Sequence, residues 1–301
     1  MTVPASPIVS VKPIALDAPG RGTPLEIRVS APVDGDDLPV VLLSHGYGWH
    51  LDGYGPLADF WAAHGFVVIQ PTYLDSRRYA LPVDDPRTPT IWRRRVADAQ
   101  LALDRLEHLE AMVPGLAGRV DHGSVAAAGH SFGAQTTGVL LGARVLGPDG
   151  TPSEDLSDPR IGAGILLAPA GKGGDDLTPF AAEHFPFMNP HFETLSTRAL
   201  VVVGDHDDSP LTVRGPDWMT DPYTYSPGAE GLLTLFGAEH SLGGIPGYEA
   251  AETTDESPER VALLQRVTLA YLRHALGRES DEWTQVRAEL SDSELGKIDL
   301  R

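Results

Sequence analysis

The chain has 301 residues and no cysteine, and its 23 lysine and arginine residues against 42 aspartate and glutamate residues give a formal net charge of −19. Without cysteine it forms no disulfide, no thiolate-bound metal site, no iron–sulfur cluster and no cysteine nucleophile. The acidic balance argues against nucleic acid and anionic membrane surfaces as partners, because both are bound through clustered basic side chains.

Targeting and membrane-spanning signals are not evident. Residues 1–10 contain no basic cluster followed by an apolar run, so the sequence predicts no secretory signal. The longest apolar stretches, such as residues 39–43 and 66–69, are far shorter than the ~20 residues that span a bilayer. We therefore expect a soluble, cytoplasmic protein with no membrane partner.

Short β-rich runs alternate with longer helical runs along the chain. The predicted strands are residues 8–16, 25–31, 39–44, 66–70, 124–129, 161–168, 199–204 and 231–237. The predicted helices are residues 54–64, 90–112, 131–146 and 258–276. Continuously apolar strands, such as PVVLLS at 39–44 and ALVVVG at 199–204, are typical of a parallel sheet that is covered on both faces.

This alternation predicts an α/β fold with a mainly parallel central sheet and helices on both faces. No repeat or interdomain linker is evident, so we expect a single domain over residues 1–301 with its core at about 8–276. Residues 171–195 are rich in proline and aromatic residues, which indicates an inserted loop above the sheet. The charged tail at 277–301 has weak helical character and is expected to pack loosely.

The strongest local signal is Gly129-His130-Ser131-Phe132-Gly133, a G-x-S-x-G pattern between a predicted strand and a predicted helix. A serine on such a sharp turn has a strained backbone, and small residues two positions to either side let strand and helix pack closely. The turn raises the hydroxyl above the sheet, and the helix N-terminus favours a developing negative charge. We predict Ser131 as a nucleophile and His130 as a structural residue.

A nucleophilic serine needs a base that is held by a third group. His240 follows the predicted strand at 231–237 in a glycine-rich loop, and we expect it to be the base. Asp207 is preferred as the acid because it clears the end of the strand at 199–204, while Asp205 and Asp208 remain alternatives. This acidic loop is also compatible with a solvated loop or a hard-cation site, but a short cluster is weak evidence for a metal, and no metal is predicted.

An acyl-transfer site also needs hydrogen-bond donors for the oxyanion. The sequence predicts the backbone N–H of Phe132, the residue after the nucleophile, as one donor. The second is expected from the loop HGYGW at 45–49, where the N–H of Tyr47 is the best placed candidate. Gly46 and Gly48 on either side of it let the main chain approach a substrate.

With SHGYG, GHSFG, VVVGDHDD and GAEHS in this order, residues 8–276 resemble the α/β-hydrolase superfamily. Within it, the HGYG loop, the PTYLDS run at 71–76 and GHSFG are similar to chlorophyllase, platelet-activating-factor-acetylhydrolase and dienelactone-hydrolase-like esterases. The resemblance implies an α/β-hydrolase fold and a carboxylic-ester hydrolase that needs no cofactor. It also implies Ser131, Asp207 and His240 as the triad, with a small-molecule ester as partner. A dienelactone hydrolase proper uses cysteine as its nucleophile, which Ser131 excludes.

Aromatic side chains near these motifs are candidates for an apolar acyl or alcohol pocket, and core packing is at least as good an interpretation of each. The candidates are Tyr47, Trp49, His50, Phe185, Phe187 and Trp218. Arg93 to Arg95 are interpreted as a solvated helix start, with binding of an acidic substrate group as the alternative.

Other functions are compatible with the same residues. Amide, peptide or thioester hydrolysis would use the same triad, and polyester hydrolases of the cutinase type look similar around GHSFG but usually carry a signal peptide and a disulfide. A non-catalytic α/β-hydrolase used as a binding module would lack a triad member, and none is missing here. A dinucleotide-binding oxidoreductase would need a G-x-G-x-x-G loop after its first parallel strand, and SHGYG does not supply one.

Overall fold

The computed structural model describes residues 5–82, 84–248, 250–278 and 281–301. Residues 1–4 of the N-terminal segment and residues 279 and 280 of the predicted tail therefore lie outside the described residues.

A nine-stranded sheet crosses the described part of the chain, in the order β1-β2-β4-β3-β5-β7-β9-β10-β11, and β6 pairs separately with β8. The strands are β1 Ile8–Leu16, β2 Leu25–Pro32, β3 Leu38–Ser44, β4 Val67–Pro71, β5 Val120–His130, β6 Arg144–Val145, β7 Ile161–Leu167, β8 Pro190–His191, β9 Ala199–Gly204, β10 Ala229–Leu235 and β11 Gly296–Leu300. The six strands from β4 to β10 in the sheet are parallel to one another. At the edges, β2 pairs antiparallel with β4, β1 with β2, and β11 with β10.

The helices cover this sheet on both faces. They are α1 Gly55–Ala63, α2 Ile91–Asp104, α3 Leu106–Met112, α4 Phe132–Leu140, α5 Pro179–His184, α6 Asp221–Tyr225, α7 Pro258–Ala275 and α8 Glu282–Leu290. Helix α7 packs against both α1 and α8, and α2 packs separately against α4. Every residue of β3 and β9 is buried between such layers, which explains why these strands are apolar except for Ser44 at the end of β3. The predicted α/β class is confirmed, and its architecture is consistent with the α/β-hydrolase fold.

Two predicted helices are shorter than expected. The predicted helix at 90–112 is interrupted at Arg105, whose φ of −107° lies outside the helical range, so that α2 and α3 are separate. The predicted helix at 131–146 ends at Leu140 because Gly142 adopts a φ of +110°. A Cβ at Gly142 would lie 2.9 Å from the carbonyl oxygen of Thr194, so the close approach of that segment requires glycine.

The expectation of a loosely packed tail is wrong for residues 281–301. Helix α8 buries Trp283, Val286 and Leu290, and the Trp283 ring packs edge-on against Tyr271 with a centroid distance of 5.3 Å. Strand β11 then pairs antiparallel with β10 and becomes the last strand of the sheet. The sheet thus extends beyond the predicted core limit at residue 276. The three buried residues have the i, i+3, i+7 spacing of an apolar helical stripe, which the surrounding charged residues obscure in the sequence.

No helix within the described ranges is both long enough and apolar enough to cross a lipid bilayer.

Candidate active site

The turn that carries Ser131 joins the end of β5 directly to the start of α4. Ser131 has a φ of 56° and a ψ of −120°, a strained conformation for a residue other than glycine. A Cβ at Gly129 would lie 2.1 Å from the carbonyl oxygen of Gly133, and one at Gly133 would lie 2.1 Å from that of Ser44. Both positions therefore require glycine, and the predicted sharp strand-to-helix turn is confirmed.

Two hydrogen bonds join the predicted nucleophile, base and acid in one chain. His240 Nε2 lies 2.9 Å from Ser131 Oγ, and His240 Nδ1 lies 2.8 Å from Asp207 Oδ2. Because a carboxylate oxygen accepts, Nδ1–H donates to Asp207 and Nε2 is left to accept from the serine hydroxyl. Asp207 is 2% exposed, whereas the His240 side chain is open to the cavity beside it.

The two alternative carboxylates of the acidic loop do not bond to His240 within the described structure. Asp205 Oδ1 accepts a hydrogen bond from the backbone N–H of Gly237 at 2.6 Å and stabilises the turn after β10. Asp208 is exposed beside the cavity. Among the described residues, no group of three or more His, Asp or Glu side chains is arranged to hold a metal ion.

A buried imidazole, His130, links the loops around Ser131. Its Nε2 lies 2.7 Å from the carbonyl oxygen of His240, which can only accept, so Nε2–H is the donor. Its Nδ1 then accepts from the Tyr54 hydroxyl at 2.8 Å, and that hydroxyl oxygen accepts from the backbone N–H of Gly46 at 3.0 Å. Burial, and next the neighbouring His240, lower the pKa of His130 to about 3, so the ring is neutral as this pattern requires. The predicted structural role of His130 is confirmed.

The loop of His240 is held from its other side by Asp255. The Oδ2 atom of Asp255 accepts hydrogen bonds from the backbone N–H groups of Glu239 and Gly243, each at 2.9 Å. These bonds bracket His240 on both sides in sequence. Nothing in the sequence interpretation pointed to Asp255, because it lies 15 residues beyond His240 in a segment without regular structure.

The two predicted oxyanion donors have no hydrogen-bond partner in the part of the chain that the structure describes. Phe132 is the first residue of α4, where the helix supplies no acceptor for its backbone N–H. The N–H of Tyr47 is likewise without an acceptor. The loop of Tyr47 runs beside the nucleophile, since a Cβ at Gly46 would lie 3.5 Å from Ser131 Cβ.

An apolar cavity of about 350 Å³ opens beside Ser131 and His240. Of the predicted pocket residues, Tyr47, Phe185, Phe187 and Trp218 line it, together with Phe132. The predicted inserted segment contributes Phe185, Phe187 and Met188, and the loop after Asp207 contributes Pro210 and Leu211. None of the lining residues is lysine or arginine.

The prediction that Trp49 and His50 line this pocket is wrong. The chain turns back after Gly48, whose φ is +80°, and the backbone N–H of Trp49 donates to the carbonyl of Gly46 at 3.2 Å. Trp49 consequently packs edge-on against Tyr54, at a centroid distance of 5.9 Å, and is not among the residues that line the cavity. His50 Nδ1 lies 3.4 Å from Asp52.

Neither interpretation of the Arg93 to Arg95 run holds for Arg95. Its side chain is fully buried and forms a two-pronged ion pair with Asp75, with Nε–Oδ1 at 2.8 Å and Nη2–Oδ2 at 2.6 Å. Burial alone would raise the pKa of Asp75, but the adjacent guanidinium outweighs it and the pKa is lowered. Arg93 is exposed and pairs with Glu154 instead, as expected for a solvated helix start.

The neutral state of His130 predicts a pH dependence of stability. Below a pKa of about 6.5 the unfolded chain binds a proton at this residue, whereas the folded chain does so only near pH 3. The free energy of unfolding therefore falls as the pH falls from 6.5, by about 1.4 kcal/mol per pH unit from this residue. His130→Gln should reduce the slope measured by urea unfolding between pH 5 and 6 by about that amount.

The exposed His108 on α3 provides the matched control. His108→Gln is expected to leave the slope as in the parent chain. An unchanged slope in His130→Gln would contradict the assignment of a neutral, buried His130.

Comparisons with known proteins do not assign this chain to a family. Neither a scan of the chain against models of protein families nor a search of the curated proteins gives a match. The likeness to α/β-hydrolases therefore rests on the fold, the glycine-flanked Ser131 turn and the bonds from Ser131 to His240 and Asp207.

Proposed function

We propose that this chain is a serine hydrolase that cleaves carboxylic esters through an acyl-enzyme. The observation that carries the proposal is the hydrogen-bonded series Ser131, His240 and Asp207, which opens onto an apolar cavity beside two unpartnered backbone N–H groups. The resemblance of HGYG and GHSFG to chlorophyllase, platelet-activating-factor-acetylhydrolase and dienelactone-hydrolase-like esterases supports the same reaction class.

In the proposed cycle, His240 Nε2 takes the proton of Ser131 as the serine oxygen attacks the ester carbonyl. Asp207 holds the Nδ1–H tautomer and stabilises the imidazolium that forms. The N–H groups of Tyr47 and Phe132 bind the oxyanion of the tetrahedral intermediate. His240 then gives its proton to the leaving alcohol, and water repeats the sequence on the acyl-enzyme.

The cavity favours small to medium, uncharged acyl groups. Its volume of about 350 Å³ is small for a ligand site, and its walls are mostly aromatic and aliphatic. A carboxylate buried there would meet no cationic side chain among the lining residues, which makes a charged acyl group unfavourable. Hydrolysis of amides, peptides, thioesters and cutinase-type polyesters would use the same catalytic groups. These compounds are therefore the alternative substrates to test.

The proposal is tested with a series of p-nitrophenyl esters of increasing acyl length and with a fluorophosphonate. The parent chain should hydrolyse the shorter esters and become labelled at Ser131, located by mass spectrometry of the peptides. Ser131→Ala should not be labelled, and its kcat should be at least about a thousandfold lower, since no other group replaces the nucleophile. If the parent chain is not labelled and hydrolyses no ester, amide or thioester, the result would instead indicate a non-catalytic binding module.

The assignment of the acid is tested by three asparagine variants. Asp207→Asn should lower kcat by about 10³–10⁴-fold, because an amide at this position favours the wrong imidazole tautomer. Asp205→Asn serves as the matched control, since its carboxylate bonds only to the turn at Gly237 and its loss should change kcat less than tenfold. A larger loss in Asp205→Asn or Asp208→Asn than in Asp207→Asn would assign the acid differently.

A further inference from the structure

The buried arginine of α2 contacts both parts of the proposed oxyanion site. Besides its ion pair with Asp75, Arg95 donates from Nη1 to the carbonyl of His45 at 2.8 Å and from Nη2 to the carbonyl of Gly46 at 3.3 Å. Its guanidinium carbon lies 4.2 Å from the centroid of the Phe132 ring. One side chain therefore contacts the loop before Tyr47 and the residue after the nucleophile.

A fully buried ion pair is a costly element of a fold. Removing two charges from water is unfavourable, and apolar side chains in their place often give equal or higher stability. The Arg95–Asp75 pair, with neither side chain exposed, is therefore weakly explained by stability alone. Its remaining donors are used on loop carbonyls rather than on further carboxylates.

The carbonyl of Gly46 is fixed in direction by three donors. Arg95 is one, the backbone N–H of Trp49 is another at 3.2 Å, and His45 Nδ1 is the third at 2.6 Å. The His45 ring is neutral, because burial, and next Arg95, lower its pKa to about 3. Its Nε2 accepts from the backbone N–H of Tyr73 at 3.0 Å, so Nδ1 carries the proton that Gly46 accepts.

This direction determines where the N–H of Tyr47 points. The carbonyl of Gly46 and the N–H of Tyr47 belong to one trans peptide and point in opposite directions. With the carbonyl held toward Arg95 and His45, the N–H is directed away from them, and it has no acceptor in the described part of the chain. On the other side of Tyr47, the backbone N–H of Gly48 donates to Asp75 Oδ2 at 3.4 Å, so the ion pair holds the loop on both sides.

We propose that Arg95 is a positioning residue that, together with Asp75 and His45, fixes the Gly46–Tyr47 peptide as an oxyanion donor. This inference rests on the proposed function, since the donor acts only if Ser131 attacks a carbonyl. Arg95 itself lies behind the loop and is not among the residues that line the cavity, so its proposed role is to position the peptide rather than to bind the substrate.

The test compares Arg95→Lys with the parent chain on a p-nitrophenyl ester and on the matching thionoester. Lysine keeps the charge opposite Asp75, but its three donors on one nitrogen do not replace the four hydrogen bonds that the planar guanidinium makes to the carboxylate and the two carbonyls. We expect kcat/KM for the ester to fall about a hundredfold, the scale of losing one oxyanion donor. The thionoester should lose much less, because its sulfur is a weak hydrogen-bond acceptor and profits little from the donor in the parent chain.

Arg21→Lys is the matched control. Arg21 forms a nearly as deeply buried ion pair with Asp98, and its guanidinium also bonds to backbone carbonyls, but these belong to Thr23, Pro24 and Thr72. This variant should destabilise the chain to a similar extent in urea unfolding while its ratio of ester to thionoester kcat/KM stays within threefold of the parent value.

A second variant covers the case in which Arg95→Lys does not fold. Arg95→Met combined with Asp75→Leu removes both charges, so that no unpaired ion remains buried. It should fold and show the same selective loss of ester activity. Loss of ester and thionoester activity to the same extent, an unchanged ester rate, or an equal change of the ratio in Arg21→Lys would overturn the positioning role. A parent chain that hydrolyses neither substrate would refute the proposed function itself.

Discussion

The close packing of β3, β5 and α4 around Ser131 is the constraint on which the rest of the site depends. The backbone atoms of Ser44, Gly129 and Gly133 approach so closely that no side chain fits at either glycine. This packing holds Ser131 at a positive φ and keeps its hydroxyl outside the sheet, at the start of a helix. Strain of this kind persists only where the surrounding structure determines it, and here one parallel strand on each side of β5 does so.

Two neutral, buried histidines hold the neighbouring loops in place beside Ser131 through hydrogen bonds. His130 accepts from Tyr54, which accepts from Gly46, and donates to the backbone of His240, so it joins the loop after β3 to the loop after β10. His45 and Arg95 hold the loop after β3 through the carbonyl of Gly46. Asp255 holds the loop after β10 through its backbone N–H groups. In the proposed enzyme, these buried contacts set the distances among groups that are themselves open to the cavity. Such preorganisation is what electrostatic stabilisation of a transition state requires.

The sequence predicted the features that depend on local pattern. Continuous apolar runs located the parallel strands to within a few residues, and GHSFG between a strand and a helix located the turn at Ser131. The position of Asp207 three residues after Gly204 was sufficient to prefer it over its neighbours, and it is the carboxylate that bonds to His240.

What the sequence did not predict depends on contacts between distant segments. Arg95 reads as one of three adjacent basic residues on a helix, and only its approach to Asp75, 20 positions earlier, shows that it is buried. Trp49 lies two positions after the cavity residue Tyr47 in the sequence, but the chain turns at Gly48 and Trp49 packs against Tyr54 instead. The charges of the tail obscure a three-residue apolar stripe in its sequence, and this stripe is buried only because α8 packs against α7.

The most direct measurement of the central claim is a crystal structure of the chain after reaction with a fluorophosphonate. We expect phosphorus bonded to Ser131 Oγ, with a phosphoryl oxygen about 2.7–3.1 Å from the backbone nitrogens of both Tyr47 and Phe132. His240 should remain bonded to Asp207. A phosphoryl group on another residue, or an oxygen directed away from both backbone nitrogens, would contradict it.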